Sequence, residues 1–530
     1  MTLIPTPEQQ QCINLFNSGT DIIINAFAGA GKTSTLVMLA NNSIKKGRGL
    51  YVAFNRSIVK EAEKKLPSNI KCSTIDALAK NGLKHYDLQT KIFNHGNFNL
   101  KKHHVKYFFK ELKKYNYYSA HNSEGDYENV YLDEDDIFEL IFQTILNYFK
   151  SDSKKLLPKH VPILGEMIGL KNQEITCHLK IYITKLAINY VYDAFDSHSS
   201  TPFGFEGAVK LWALGNPTLP YNFVLLDEAQ DTNPVFANVL KFQNCQKIIV
   251  GDKYQQIYSW RGAVNAMDKF DIKNTIYLTK SFRFGSVIAD FASSILLLLN
   301  ERHNVIGCGP EWENHYNRIP DAYLCRTNAG VIEVLIDLLA KGIVPVVPEN
   351  IKKLLNKIRE LDKILKGKKS NHPLFMGISS FQQLQNLAMA EKNSELEMYV
   401  KLIEKFSINT IFSVLSKYTI PKYGPTVTTI HKSKGSEWDF VHIHDDFPSL
   451  RQNNGIFYIS TELLNLIYVA ITRAKKSLTF ENWLTDYLNI IKQNRRFQLQ
   501  VPSDTLNCQG FCHKCSLVTS DTAYYYDEIN

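Results

Sequence analysis

No stretch of this 530-residue chain stays apolar long enough to cross a bilayer; runs such as Ile295–Leu299 end far short of the roughly 20 residues a spanning helix needs. The opening residues, MTLIPTPEQQQC, lack the basic start and apolar core of a cleaved secretion signal, so a soluble, non-exported protein is expected. Cysteine is sparse: nine in all, an odd number, with only the last three clustered. That excludes a disulfide framework and points to a reducing compartment. Asn, Lys, Ile and Tyr are abundant, but there is no repeat of fixed period and no true low-complexity tract. A large excess of one charge is also missing. Lys plus Arg number 61 against 52 Asp plus Glu, and the net +9 only mildly favours a polyanionic partner in a chain this long.

What is present is enough apolar material, 44% of residues, for several cores. β-branched stretches at 21–26, 50–54, 70–74, 223–226 and 247–250 end in polar or glycine-containing turns and read as buried parallel strands. Helical patterns at 32–41 and 58–65 alternate with them, which predicts an α/β fold with a doubly wound sheet. Between Lys80 and Gly204 the alternation stops and the text turns helical, charged and aromatic. A second α/β series is expected through 275–278, 322–325, 426–430 and 440–444, interrupted by a helical stretch from 341 to 417. The expected organisation is therefore two cores, each carrying a mainly helical insertion: a first core at 1–80 and 205–280 around an insertion at 81–204, a second core at 281–340 and 418–500 around an insertion at 341–417, and a cysteine-containing tail at 501–530.

Phe27-Ala28-Gly29-Ala30-Gly31-Lys32-Thr33 follows the first strand and opens a helix. Its glycines let backbone amides turn onto phosphate oxygens, the helix N-terminus adds positive potential, Lys32 reaches the terminal phosphates, and Thr33 suits a magnesium ion. Ala26 stands where the usual first glycine would be. A chance glycine-rich turn is the alternative, but the strand before and the helix after argue against it. Leu225-Leu226-Asp227-Glu228-Ala229-Gln230-Asp231 ends another strand with adjacent acids: Asp227 suits the metal, Glu228 a base that orients attacking water. Alone, such a pair is as often a helix N-terminus with favourable dipole charge. Beside Lys32 and Thr33, catalysis is the stronger reading.

These residues carry a resemblance. The chain resembles the UvrD/Rep group of superfamily one DNA helicases, and within it the motor region of the F-box DNA helicases. The resemblance implies two RecA-like P-loop cores, with ATP and Mg2+ as cofactors. Thr6-Pro7-Glu8-Gln9 is similar to the motif whose glutamine reads adenine, so Gln9 takes that role. Residues 250–263, VGDKYQQIYSWRGA, look like the coupling motif, in which Gln255 would sense the γ-phosphate. Ser281-Phe282-Arg283 implies that Phe282 stacks on adenine and Arg283 contacts the γ-phosphate. Residues 429–438, THKSKGSEW with Ile430 inside, match the fifth motif, where Glu437 approaches the ribose; residues 466–474, LIYVAITRA, resemble the sixth, making Arg473 the second arginine finger. Charge stabilisation by such fingers is what phosphoryl transfer requires.

The same resemblance places Phe54, Asn55, Arg56, Thr74, Tyr258, Trp260, Arg261, Arg326, Asn328 and His431 along a strand channel, where aromatic stacking and positive groups hold single-stranded DNA without reading sequence. Trp260, between Ser259 and Arg261, is the sharpest stacking candidate, although tryptophan is more often a core residue. Asp76 replaces the histidine of a Thr-x-His element, so a phosphate contact there is not expected. The basic and aromatic segment 101–110 could grip duplex phosphates, but an ordinary amphipathic helix is the plainer reading. Leu354, Leu355, Ile358, Leu361, Ile364 and Leu365 recur at helical spacing among lysines, as core packing with a solvated basic face would. Cys508, Cys512 and Cys515, with His513, could offer zinc ligands, against reduced thiols as the plainer account.

The expected function is an ATP-dependent helicase moving 3′-to-5′ on single-stranded DNA and unwinding duplex junctions, in repair, recombination or replication. The alternative is a translocase that strips recombinase or other proteins from DNA. A decayed, non-catalytic scaffold would have lost Lys32, Asp227, Glu228 or an arginine finger, and none is lost. An RNA motor stays open, because no residue plainly tests for a 2′-hydroxyl. No F-box is expected, since the adenine-reading motif begins within the first residues. The expected location is intracellular, nuclear in a eukaryote and cytoplasmic in a bacterium or virus.

Overall fold

A computed structural model of the chain describes residues 4–43, 46–53, 55–84, 98, 100, 117–121, 127–131, 134–162, 173–257, 265–314, 318–368, 370, 372–375, 378, 380–390, 394–448, 450–492 and 497–500. The strands, in chain order, are β1 Ile22–Ala26, β2 Gly49–Ala53, β3 Ile70–Thr74, β4 Tyr117–His121, β5 Tyr127–Tyr131, β6 Phe223–Leu226, β7 Gln246–Gly251, β8 Thr275–Leu278, β9 Lys280–Ser281, β10 Ile306–Gly307, β11 Ala322–Cys325, β12 Thr426–Thr429, β13 Trp438–Ile443, β14 Arg451–Asn453, β15 Ile456–Ser460, β16 Ala474–Phe480 and β17 Phe497–Gln500. The chain divides into two compact units, one of residues 1–39, 249–259 and 272–502, the other of 40–248, 260–271 and 503–530.

In the first of these units every residue of β1 is buried, as a β-branched Ile-Ile-Ile run between two helical layers should be. β1 pairs in parallel with β8, Ile23 opposite Thr275 and Ala26 opposite Leu278. The stretch 275–278, grouped by its alternation with the second α/β series but lying within the 205–280 bounds expected for the first core, stands beside the phosphate-loop strand. Strand character is legible in a short apolar run, but which sheet it joins is set by distant partners that periodicity does not encode. A separate parallel sheet has the order β12-β11-β13-β16, and β16 was not anticipated. It is covered by helices Ser286–Leu298 and Thr461–Ile471 on an apolar core that includes Ile295, Leu324, Val441, Ile467 and Leu478. The helical stretch expected at 341–417 contains helices Ile351–Leu365, Phe381–Ala390, Ser394–Lys405 and Ile408–Lys417. In the first of these Leu354, Ile358, Leu361 and Ile364 are buried while Lys352 and Lys353 are exposed, the amphipathic arrangement their spacing predicts.

In the other unit β2 lies between β3 and β6, all parallel. Helix Arg56–Glu63 starts on an Asn55 cap and helix Ile75–Gly82 on a Thr74 cap. Helices Glu134–Lys150, Gln173–Phe195 and Gly204–Leu214 bury an aromatic cluster in which the Phe98, Phe149, Phe195 and Phe203 rings meet at 5.3 to 5.8 Å. The region expected to be helical also contains the antiparallel pair β4 and β5. Segment 101–110 and the tail with Cys508, Cys512, His513 and Cys515 lie outside the described residues. Among the described residues no helix is long and apolar enough to cross a membrane, and no cluster of potential metal ligands occurs.

Candidate nucleotide site

The phosphate loop runs from Phe27 to Gly31 between β1 and helix Lys32–Asn41. Gly29 and Gly31 have φ of 75° and 79°, left-handed conformations that side chains resist. A β-carbon on Gly29 would also stand 2.5 Å from Ser281 Oγ and 2.6 Å from Arg283 Cβ. The loop is thus packed against the Ser281-Phe282-Arg283 motif, and the Phe282 amide donates to the Gly29 carbonyl at 2.9 Å. Phe282 keeps 52% of its surface exposed, as a ring available for stacking on a base requires. Lys32 opens the helix and Thr33 beside it is exposed.

Gln9 is 4% exposed on helix Pro7–Asn17. Its Oε1 accepts from the Thr6 amide, completing a capping box, and its Nε2 donates to Thr35 Oγ1 at 3.0 Å, which orients the amide alongside the loop. The neighbouring Glu8 carboxylate accepts from the amide and hydroxyl of Thr279, tying this helix to the end of β8.

The segment Asp252–Gln256 follows β7. Asp252 is completely buried and accepts from Gln255 Nε2 at 2.7 Å and from the Tyr468 hydroxyl at 3.1 Å. Burial pushes its carboxyl above the usual range, against the opposing pull of the Lys32 charge and these hydrogen bonds. The Tyr468 hydroxyl also accepts from the Ala28 amide at 3.1 Å, so one phenol bridges the phosphate loop and Asp252. Burial, then the charge of Asp252, raises Tyr468 well above its usual range, which keeps it a donor.

Arg473, only 1% exposed, donates to Gln255 Oε1 at 3.4 Å, to the Val469 carbonyl at 3.0 Å and to the Ser436 carbonyl at 3.3 Å. Lys434 donates to the Gln255 carbonyl at 2.9 Å, and Asn465 to the Gln256 carbonyl at 3.1 Å. Arg283 pairs with Glu437 at 2.7 Å and donates to the Thr472 carbonyl at 3.0 Å. Gln9, residues 28–33, Gln255, Phe282, Arg283, Glu437 and Arg473 are thus joined by one hydrogen-bond and packing network. Asp252, Lys434, Asn465 and Tyr468 were not singled out from sequence; each lies inside a quoted or adjacent motif, but only the fold shows which oxygen each meets.

The acidic pair belongs to the other unit. Asp227 is 4% exposed, its amide donates to the Val52 carbonyl, and its Oδ2 accepts from the Tyr51 hydroxyl at 2.7 Å. Glu228 has φ of 50°, an uncommon conformation for a residue with a β-carbon, and its Oε2 accepts from Gln230 Nε2.

Of the candidate DNA contacts, Asn55 and Thr74 are also helix caps, accepting from the Ile58 amide at 2.9 Å and the Ala77 amide at 3.2 Å. Arg56 begins the helix after Asn55. Arg326 follows β11, with its Nε donating to the Asp446 carbonyl at 2.7 Å, and Asn328 begins helix Asn328–Ala340. His431 lies on the short helix Ile430–Ser433 after β12. Phe54, Tyr258, Trp260 and Arg261 lie outside the described residues.

Residues 5–271 match the UvrD/REP helicase N-terminal domain and residues 345–483 the UvrD-like helicase C-terminal domain. F-box DNA helicase 1 of Gallus gallus is 28% identical over 91% of this chain, and F-box DNA helicase protein 1 of Schizosaccharomyces pombe is 27% identical over 91%. A probable DNA helicase of Mycoplasma pneumoniae is 24% identical over 62% of the chain. The matched regions span 49%, 58% and 56% of those three relatives' own lengths. Domain matches across most of the chain, on a RecA-like α/β scaffold with its phosphate loop in place, establish that this chain belongs to the UvrD/REP helicase family.

Proposed function

We propose that this chain is an ATP-driven motor that moves 3′-to-5′ along single-stranded DNA and unwinds duplex. The observation that carries the reading is the grip of Arg473, Lys434 and Tyr468 on Asp252–Gln256, with Tyr468 also bonded to the phosphate loop. Such an arrangement can turn a change at the phosphate site into a displacement of residues far along the chain. The names of the relatives support DNA as the track.

The roles follow from the chemistry of each group. Lys32 and the amides of Gly29, Ala30 and Gly31 would hold the phosphates, which fits the open left-handed turns of the loop. Thr33 and Asp227 would hold Mg2+, which, when bound, neutralises phosphate charge. Glu228 orients the attacking water and takes its proton; Gln255, Arg283 and Arg473 respond to the γ-phosphate; Phe282 and Gln9 hold adenine, and Glu437 the ribose. Phe54, Asn55, Thr74, Tyr258, Trp260, Arg261, Arg326, Asn328 and His431 line the DNA path. The domain division given above, two motor cores with insertions at 81–204 and 341–417, belongs to the same proposal, as does a role in DNA repair, recombination or replication.

The test is ATP hydrolysis with and without single-stranded DNA or RNA, followed by strand displacement from duplexes bearing only a 3′ or only a 5′ tail, with Lys32→Ala as control. Stimulation by DNA and displacement from the 3′ tail are expected. Displacement from the 5′ tail would overturn the polarity, and translocation without displacement would favour protein stripping.

A further inference from the structure

Asp252–Gln256 is held at every one of its five residues by side chains from beyond residue 300. Tyr468 bonds Asp252, Arg473 and Lys434 bond Gln255, and Asn465 bonds Gln256. The remaining two, Lys253 and Tyr254, are both held by Glu301, a residue in none of the motifs. The Tyr254 hydroxyl donates to Glu301 Oε2 at 2.6 Å, and Lys253 Nζ stands 3.3 Å from the same oxygen.

Local structure aims Glu301 inward. Helix Ser286–Leu298 ends in a turn with Asn300 left-handed at φ of 60°, and the Glu301 amide returns to the Leu296 carbonyl at 2.9 Å. The other carboxylate oxygen is occupied within the turn, accepting from the Arg302 amide at 2.8 Å, the His303 amide at 3.0 Å and His303 Nδ1 at 2.6 Å. The His303 ring in turn stacks on Tyr277 of β8 at 3.8 Å. One oxygen thus fixes the carboxylate to its own turn and leaves the other to hold the loop. Burial works against the charge, but the Tyr254 and His303 hydrogen bonds and Lys253 bring this acid down to about 2, so it is a full anion at neutral pH. A hydrogen bond to a charged acceptor is the stronger kind.

We propose that Glu301 is a positioning residue for Gln255: through the Tyr254 hydroxyl it fixes the loop that carries the γ-phosphate sensor, so that nucleotide turnover and the turn after helix Ser286–Leu298 move together. This rests on the reading of the chain as a DNA-stimulated ATPase. Tyr254 is adjacent to Gln255 in sequence, so freeing its ring allows the sensor amide to drift from Arg473 without touching either group. The Tyr254 ring itself is wedged between Phe27 of the phosphate loop and Tyr468, both at 6.3 Å between centroids, which ties any such drift to the phosphate loop as well.

The experiment uses the full chain carrying Tyr254→Phe, Glu301→Gln, or both. Two readouts are taken: the kcat and KM for ATP with and without an oligothymidylate, and hydrogen exchange of the 253–257 amides. The expected result is a DNA-stimulated kcat lower by about ten-fold in each single variant, the factor that 1.4 kcal/mol represents, with KM changed less than kcat. The double variant is expected to be no worse than the poorer single one, because both remove one bond. Exchange at 253–257 is expected to be faster in all three. A role confined to the 299–303 turn would make Glu301→Gln impaired and Tyr254→Phe normal, which overturns the proposal, as does unchanged exchange at 253–257. Absence of any ATPase in the unaltered chain would instead defeat the functional reading, and the exchange measurement would still judge the tie.

Discussion

Arg283 Nε lies 2.7 Å from Glu437 Oε2, joining the residue assigned to the γ-phosphate to the one assigned to the ribose. The glutamate is 45% exposed and the arginine 18%, and a pair so open to water contributes at most about 1 kcal/mol. Exchanging the carboxylate for a phosphate oxygen is therefore inexpensive, while the Thr472 carbonyl keeps the guanidinium nearby. Arg283→Ala should lower kcat by about 10³-fold, the low end of the range for an arginine finger. Glu437→Gln should leave kcat within a few-fold and act mainly on KM. Steady-state ATPase assays check both; equal loss of kcat in the two variants would show that the pair acts only as a unit.

Glu228→Gln should preserve nucleotide affinity and lower turnover by at least about 10²-fold, the usual contribution of a general base. Its backbone is held in a conformation that costs of order 1 kcal/mol, and glutamine preserves shape and the site of the Gln230 contact. Lys32→Ala should instead weaken ATP binding itself. Equilibrium binding of ATP with single-turnover hydrolysis separates the two; normal turnover in Glu228→Gln removes the residue from the chemistry.

Tyr468→Phe should cost more than its size suggests. It leaves the buried Ala28 amide without the hydroxyl it donates to, and removes one of the donors to Asp252, which keeps Gln255 Nε2. One unsatisfied buried group costs about 1–3 kcal/mol. Denaturant unfolding should show a loss in that range, and hydrolysis should slow because the phosphate loop is no longer tied to Asp252. A stability change within a few tenths of a kcal/mol would mean that water replaces the phenol.

The local part of this site was legible in the sequence. A phosphate loop needs glycines at fixed places, so Gly29 and Gly31 announce the left-handed turns that β1 and the following helix require. Acids after β6 and arginines in short motifs are likewise visible as residue types. What could not be read is partnership at a distance. Glu301 lies 47 residues from Tyr254 and carries no local pattern, and Tyr468 is an apolar position of helix Thr461–Ile471 until Ala28 and Asp252 are placed beside its hydroxyl. The same limit grouped 275–278 with the second series of strands even though the expected bounds gave it to the first core, since alternation reveals a strand without its neighbours. β16, with polar Lys475 and Lys476 near its start, lacks the continuous apolar run that exposed the other central strands.

The last prediction concerns pH. His444 and Glu333 form an ion pair at 3.5 Å after β13, and Lys405 bonds both Glu333, at 2.8 Å, and Asp337, at 2.9 Å. The ion pairing with His444, then the bond from Lys405, outweighs burial and brings Glu333 from its ordinary 4.5 down to about 2. Burial opposes the charge of His444, but Glu333 and the nearby Asp446 and Asp445 outweigh it and raise the imidazole above 6.5. A depressed acid contributes stability that is complete above its unfolded value and is lost as pH falls through the folded one. A raised histidine contributes stability that is complete below its unfolded value and is lost as pH rises through its folded one. Both contributions are therefore complete together between about 4.5 and 6.5. Glu333→Gln should flatten the stability profile on the acid side, removing a contribution on the order of 3 kcal/mol by pH linkage, and should also reduce the loss above pH 6.5, because His444 then keeps only Asp446 and Asp445 to favour its charged form. His444→Gln should remove the alkaline limb and only part of the acid one, since Lys405 still lowers Glu333. Urea unfolding of the three proteins from pH 3 to 8 decides it. Identical pH profiles in the unaltered chain and Glu333→Gln would show that the pair contributes nothing to stability.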